Sequence, residues 1–137
     1  MNYDDLIKTA KEMTKMSYAP YSHFNVGAAV RLSNGIIVKG ANQENAAFPS
    51  GLCAERTAMF SAGATYPDKA MVSIAIAGGV MGRLAKAPAT PCGACRQVMA
   101  QYQLKGGKPM SVIMVGDGQI WKFDKVDDIL PLIFDSL

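Results

Sequence analysis

The sequence predicts one α/β domain, residues 1–137, in which a mixed five-stranded sheet lies between helical layers. Helical and extended periodicities alternate in the order helix, two strands, helix, strand, helix, two strands, helix. Strands separated by helices favour a sheet covered on both faces, with parallel and antiparallel neighbours mixed. Asn34-Gly35 and Asp117-Gly118 each lie between extended apolar runs, and such pairs supply the backbone of a tight hairpin turn. With 137 residues, half of them apolar and 18% charged, the chain can close one hydrophobic core without disulfides.

Each element has a local reason. Over residues 3–17 the apolar or small side chains of Tyr3, Leu6, Ile7, Ala10, Met13 and Ser17 recur at helical spacing, opposite Lys8, Lys11, Glu12 and Lys15. Pro20 drives its predecessor out of helical conformation, so a loop follows. Phe24, Val26, Ala28, Val30 and Leu32 alternate as in a strand with one face in the core, and residues 36–38 return after the Asn34-Gly35 turn. A polar loop spans 40–52. Residues 54–64, rich in Ala and Met, read as a largely buried helix. Residues 71–77 are a continuous apolar run, expected of a strand covered on both faces, and 78–89 read as a loop. A helix is expected from Cys92 to about Gln103, then strands over 112–115 and 120–123. Asp124 is placed to cap a short final helix near Pro131.

Composition narrows the function classes. The net charge is +3, but the Lys and Arg residues are scattered, which argues against a nucleic-acid partner. The first residues lack the basic and apolar regions of a secretory signal, and no apolar stretch approaches the roughly 20 residues that span a bilayer. A cytoplasmic protein with no membrane partner is therefore expected. In that reducing setting three cysteines stay thiols, and an odd number cannot all pair within one chain.

Their setting gives the cysteines another use. Cys53-Ala54-Glu55-Arg56 and Pro91-Cys92-Gly93-Ala94-Cys95-Arg96 both sit where a loop enters a predicted helix, and helix N-termini favour the thiolate. Three thiolates suit Zn2+, one per chain, and leave a fourth position for water, the arrangement of catalytic zinc. Glu55 is placed to move protons between that water and a substrate, which is the constellation of zinc deaminases. Three thiolates would blunt the Lewis acidity of a divalent ion, so an arginine bonded to a thiolate is expected beside the metal: Arg56, with Arg96 as the other candidate. Two alternatives are weaker. A redox Cys-x-x-Cys pair leaves Cys53-Ala54-Glu55 without a purpose, and His23 as a fourth ligand of a closed site is turned away by the alternation that sets the face of Phe24.

Four blocks occur in order: Tyr21 to Ala29, Gly40 to Ala46, Cys53 to Ala58, and Pro91 to Val98. On these blocks the chain resembles cytidine deaminases of the small, three-cysteine kind over nearly its whole length. The resemblance implies a cytidine deaminase-like three-layer α/β/α sandwich and zinc-dependent hydrolysis of cytidine and deoxycytidine to uridine and deoxyuridine, with release of ammonia in pyrimidine salvage. It also implies a homotetramer with shared active sites. Phe24 would pack on the pyrimidine ring, Asn42 and Glu44 would bind the ribose 3′-hydroxyl, the Ala54 N–H would contact the base carbonyl, and Phe134 would enter a neighbouring subunit's site. Two features depart from the family's usual pattern: Phe48 stands where relatives usually carry tyrosine, which removes a hydroxyl that would face the adjoining subunit's substrate near its 5′-hydroxyl, and the loop before Pro91 is longer. A deaminase of another substrate, such as a nucleoside antibiotic or cytosine in nucleic acid, is the alternative. Asn42-x-Glu44 argues for a free ribose, and the lack of a basic aromatic stripe argues against a strand.

Overall fold

A computed structural model describes residues 2–136. Its helices are α1 (Asp4–Met13), α2 (Ala54–Thr65) and α3 (Gly93–Gly106), and its strands are β1 (Phe24–Leu32), β2 (Ile37–Ala41), β3 (Met71–Val80), β4 (Ser111–Val115) and β5 (Ile120–Phe123). The sheet order is β2-β1-β3-β4-β5, antiparallel throughout except for the β3–β4 pair.

Strand alternation sorts the side chains into two cores. Ala28, Val30, Ile74, Ile76, Val112 and Met114 meet α2 and α3 on one face, while Ala29, Ala75, Ala77, Ile113 and Val115 meet Leu6 and Ala10 of α1 on the other. This is the expected three-layer sandwich. Central β3 is covered on both faces, which is why its sequence shows no alternation. Two glycines let the layers close. A Cβ on Gly27 would lie 2.1 Å from the Ala10 carbonyl oxygen, and one on Gly40 would lie 2.6 Å from the Ala58 nitrogen. Only glycine fits where a helix approaches a strand this closely.

Several elements differ from the sequence reading. The first helix is α-helical only to Met13 and then tightens into a 3₁₀ turn, Thr14–Met16. Strand β2 continues to Ala41 because Lys39, Gly40 and Ala41 pair with Ala29, Ala28 and Gly27. Likewise β3 runs through Gly78 and Gly79 to Val80, since these oppose Val26, Asn25 and Phe24; the loop begins only afterwards. The final helix is reduced to a 3₁₀ turn, Val126–Asp128, preceded by Lys125 and not capped by Asp124. Gln103 of α3 takes up the Val126 N–H and the Asp127 carboxylate, so this segment is tied to α3 instead of continuing as its own helix. His23 is not in β1 at all. It has φ +57, its N–H donates to Ala19 O, and its carbonyl accepts from Met81 N–H.

The topology gathers the two cysteine motifs. Strand β2 ends, β1 begins and β3 ends at the same end of the strands, because Ala41 pairs with Gly27 and Val80 with Phe24. The chain enters α2 from β2 and α3 from β3, so both helix N-termini are delivered to that end.

Candidate active site

Cys53 and Cys92 are the N-cap residues of α2 and α3, both with extended backbone, and Cys95 follows in the first turn of α3. Their burial differs: Cys95 is buried, Cys53 half-buried and Cys92 exposed. The Cys53 and Cys92 sulfurs are 3.9 Å apart, and all three Sγ atoms lie within 4.8 Å of one another. A tetrahedral zinc ion with Zn–S bonds of about 2.3 Å separates its sulfurs by about 3.8 Å, so this donor set fits one Zn2+. His23 is not part of the cluster, which among the described residues consists of the three cysteines.

The electrostatics favour a thiolate at Cys53. A hydrogen bond from Cys95, joined by those from Arg56 and Cys92, brings the Cys53 thiol down to about 5. Cys95 is pushed well above its ordinary value because it keeps the proton it shares with Cys53 and is buried facing Glu55. Arg56 Nη2 donates to Cys53 Sγ at 3.4 Å. Arg96, the other candidate for that role, turns elsewhere and gives Nε to Pro91 O (2.9 Å) and Nη1 to Ile129 O (2.8 Å). Glu55, in the first turn of α2, is only 4% exposed. Burial pushes its carboxyl up to about 7, opposed by a bond from its own backbone N–H and reinforced by the nearby Cys53 charge. A carboxyl poised near neutrality can both give and take a proton.

Beside the cluster lies a cavity of about 500 Å³ whose lining includes Tyr21, Asn42, Glu44, Phe48, Cys53 and Arg56. Glu44 is held from two sides: Oε1 accepts from the N–H groups of Tyr21 (3.0 Å) and Ser22 (3.1 Å), and Oε2 accepts from the Ser22 hydroxyl. These bonds, led by the Ser22 hydroxyl, keep its carboxyl below the usual carboxylate range. Asn42 ties the loop after β2 to the start of β1, and these bonds leave its second Nδ2 hydrogen unused. Its Oδ1 accepts from Val26 N–H (2.9 Å) and from the Ser17 hydroxyl, and its Nδ2 donates to Phe24 O (2.8 Å). The sequence reading makes neither serine a site residue: it places Ser17 on the small-residue face of the first helix, and Ser22 lies in the Tyr21 to Ala29 block.

Of the remaining sequence-derived residues, Ala54 opens α2 next to Cys53, and Phe24 stands 38% exposed at the start of β1, outside the cavity lining. Phe134 also lies outside that lining; its ring is 65% exposed and its carbonyl accepts from Gln97 Nε2 (2.6 Å). Phe48 is 77% exposed and meets the Tyr21 ring edge-on, with centroids 6.2 Å apart.

Residues 1–107 match the family model for the cytidine and deoxycytidylate deaminase zinc-binding region. The cytidine deaminase of Halalkalibacterium halodurans is 44% identical over 103 residues, which is 74% of this chain and 72% of that protein. The cytidine deaminase of Sporosarcina psychrophila is 39% identical over 102 residues, 74% of this chain and 71% of that protein. Among solved structures, the cytidine deaminase of Burkholderia pseudomallei superposes with a TM-score of 0.85 at 38% identity, covering 98% of this chain and 100% of that one. That of Mycobacterium tuberculosis gives 0.77 at 28% identity, covering 99% of each.

Proposed function

Because the chain belongs to the cytidine and deoxycytidylate deaminase zinc-binding family, we propose that it hydrolyses cytidine and deoxycytidine to uridine and deoxyuridine with release of ammonia, a step of pyrimidine salvage. The observation that carries this reading is the convergence of three cysteine sulfurs beside a buried, near-neutral glutamic acid.

Cys53, Cys92 and Cys95 would hold Zn2+, which when bound would supply Lewis acidity and lower the pKa of water toward neutrality. The chain's own groups do the rest. Glu55 accepts a proton as water adds to C4 of cytosine and delivers a proton to N3. It then takes the remaining proton from the new C4 hydroxyl and passes it to the exocyclic nitrogen, so that the C4–N bond breaks, ammonia leaves and the C4 carbonyl of the uracil ring forms. Arg56, bonded to Cys53 Sγ, draws negative charge away from the metal. Ala54, first in α2, has an N–H with no intrahelical acceptor and turns it to the base carbonyl. Phe24 packs on the ring. Asn42 and Glu44 bind the ribose 3′-hydroxyl, Glu44 as a carboxylate already oriented by Tyr21 and Ser22.

The test is ammonia release from cytidine, deoxycytidine, cytosine, blasticidin S and a cytosine-containing oligonucleotide. Turnover is expected with the first two only; turnover of the oligonucleotide alone would replace the proposal with a nucleic-acid deaminase.

The same reading includes a homotetramer with shared active sites. The exposed rings of Phe48 and Phe134 support it, since apolar aromatic surface of this kind gains by being covered. Light scattering is expected to give four times the chain mass, and a fully active monomer at assay concentration would refute shared sites. Among the described residues no helix is long and apolar enough to cross a membrane. The proposed setting is the cytoplasm, with no membrane or nucleic-acid partner.

A further inference from the structure

Among the described residues the guanidinium of Arg96 donates to two main-chain carbonyls, Pro91 O through Nε and Ile129 O through Nη1, and to no sulfur or carboxylate. One of these partners adjoins Cys92 directly. The backbone N–H of Arg96 also donates to Cys92 O (3.0 Å), closing the first turn of α3. Side chain and main chain of one residue therefore grip the peptide groups on both sides of the Cys92 Cα. Cys92 needs such a grip more than the other two cysteines. Cys95 is enclosed by the core and Cys53 is half-buried, whereas Cys92 is exposed and has little packing to place its sulfur.

The far end of the fork is anchored without help from Arg96. Ile129 is buried and packs in the core formed with α2 and α3, and the turn before it is fastened to α3 by Gln103, which accepts from Val126 N–H (3.0 Å) and donates to Asp127 Oδ1 (2.8 Å). A planar guanidinium with fixed donor directions can bridge two such carbonyls at once. A lysine ammonium carries the same charge but lacks that rigid fork.

We propose that Arg96 is a positioning residue of the metal site: it clamps the Pro91-Cys92 peptide to the C-terminal segment at Ile129 and so holds the exposed Cys92 sulfur beside those of Cys53 and Cys95. The inference rests on the reading of these three cysteines as the zinc ligands. It assigns the clamp to geometry and not to charge, which separates Arg96 from Arg56.

The test is the rate at which purified, zinc-loaded protein releases its metal to a chromogenic chelator in the absence of substrate. Circular dichroism and light scattering verify fold and assembly. Arg96→Met and Arg96→Lys are both expected to release zinc about 10- to 100-fold faster than wild type, the range for groups that orient a metal ligand. Gln97→Ala, which frees the tail farther on at Phe134, is expected to release zinc at the wild-type rate. Wild-type release from Arg96→Lys would overturn the clamp in favour of a charge effect. Equally fast release from Gln97→Ala would overturn it in favour of general loosening of the tail. Should Arg96→Met fail to fold, Arg96→Lys carries the measurement. Cys92→Ser is measured alongside and is expected to lose zinc. If it keeps zinc at the wild-type rate, the ligand assignment fails, whereas zinc loss from Cys92→Ser with retention in both Arg96 variants overturns the clamp alone.

Discussion

Glu55→Gln is expected to keep its zinc and its fold while kcat falls by about 10²- to 10⁴-fold, the range for a general acid–base group. Gln matches Glu in shape and can occupy the same buried place at the start of α2, but it cannot carry a proton between water, N3 and the leaving amino group. Metal analysis, circular dichroism and steady-state kinetics on the same preparation make the comparison. Near-normal turnover would remove Glu55 from the chemistry, and loss of zinc would make it a support of the metal site. A second readout uses the metal-free protein. There Glu55 has a folded pKa of about 7 against 4.5 for the free side chain. The folded state holds that proton more tightly than the unfolded state, so the Glu55 contribution to stability is full below pH 4.5 and is lost as pH rises through 7. Gln has no such term. Between pH 5 and pH 8 the stability difference should therefore move in favour of Glu55→Gln by about 2 to 3 kcal/mol, read as the change in the urea-unfolding difference between the two proteins. A pH-independent difference would mean that the carboxyl is not desolvated in the folded chain. Comparing the pair is necessary because Cys53, whose pKa is lowered, titrates in the opposite sense over the same range.

Glu44→Ala is expected to lower kcat/KM for cytidine and deoxycytidine alike by about 10- to 150-fold, the value of a hydrogen bond to a charged acceptor. Both substrates carry the 3′-hydroxyl that this carboxylate is proposed to accept from, so their ratio should not change. The carboxylate is already fixed by Tyr21 and Ser22, so little ordering remains for the substrate to impose. Wild-type enzyme should discriminate against 3′-deoxycytidine, which lacks the donor. It should reject cytidine 3′-monophosphate more strongly, because the phosphate brings negative charge against the same carboxylate. If wild type handles either analogue as well as cytidine, the ribose contact is misassigned and a polymer substrate regains ground.

The parts of the site that were legible in the sequence are those built within a few residues. Cys53-Ala54-Glu55 and Cys92-Gly93-Ala94-Cys95 each place their functional groups within one helical turn of an N-terminus, so spacing alone predicts thiolate-favouring positions and an adjacent carboxyl. The hairpin turns were equally local, with Gly35 and Gly118 at φ +87 and +76. Contacts made across the fold were not legible. Ser22 and Ser17 acquire roles only because the loop after β2 folds back against the entry to β1, where Glu44 and Asn42 meet them. Arg56 lies three residues after Cys53 and Arg96 directly after Cys95, and nothing in one dimension says that the first faces a sulfur while the second faces two carbonyls.

By itself the sequence determined the order of elements as far as β5, the layered fold class, the three candidate zinc ligands and the carboxyl beside them, because periodicity, turn chemistry and helix-start spacing act over a few residues. Only the tertiary structure decided how far β2 and β3 extend, that the last segment is a 3₁₀ turn strapped to α3, and that His23 stands outside β1. It also decided which arginine faces a sulfur and which faces two carbonyls. These depend on partners supplied by distant parts of the chain: a ladder lengthens where the neighbouring strand offers bonds, and a guanidinium turns to whichever acceptors the packed fold places within reach.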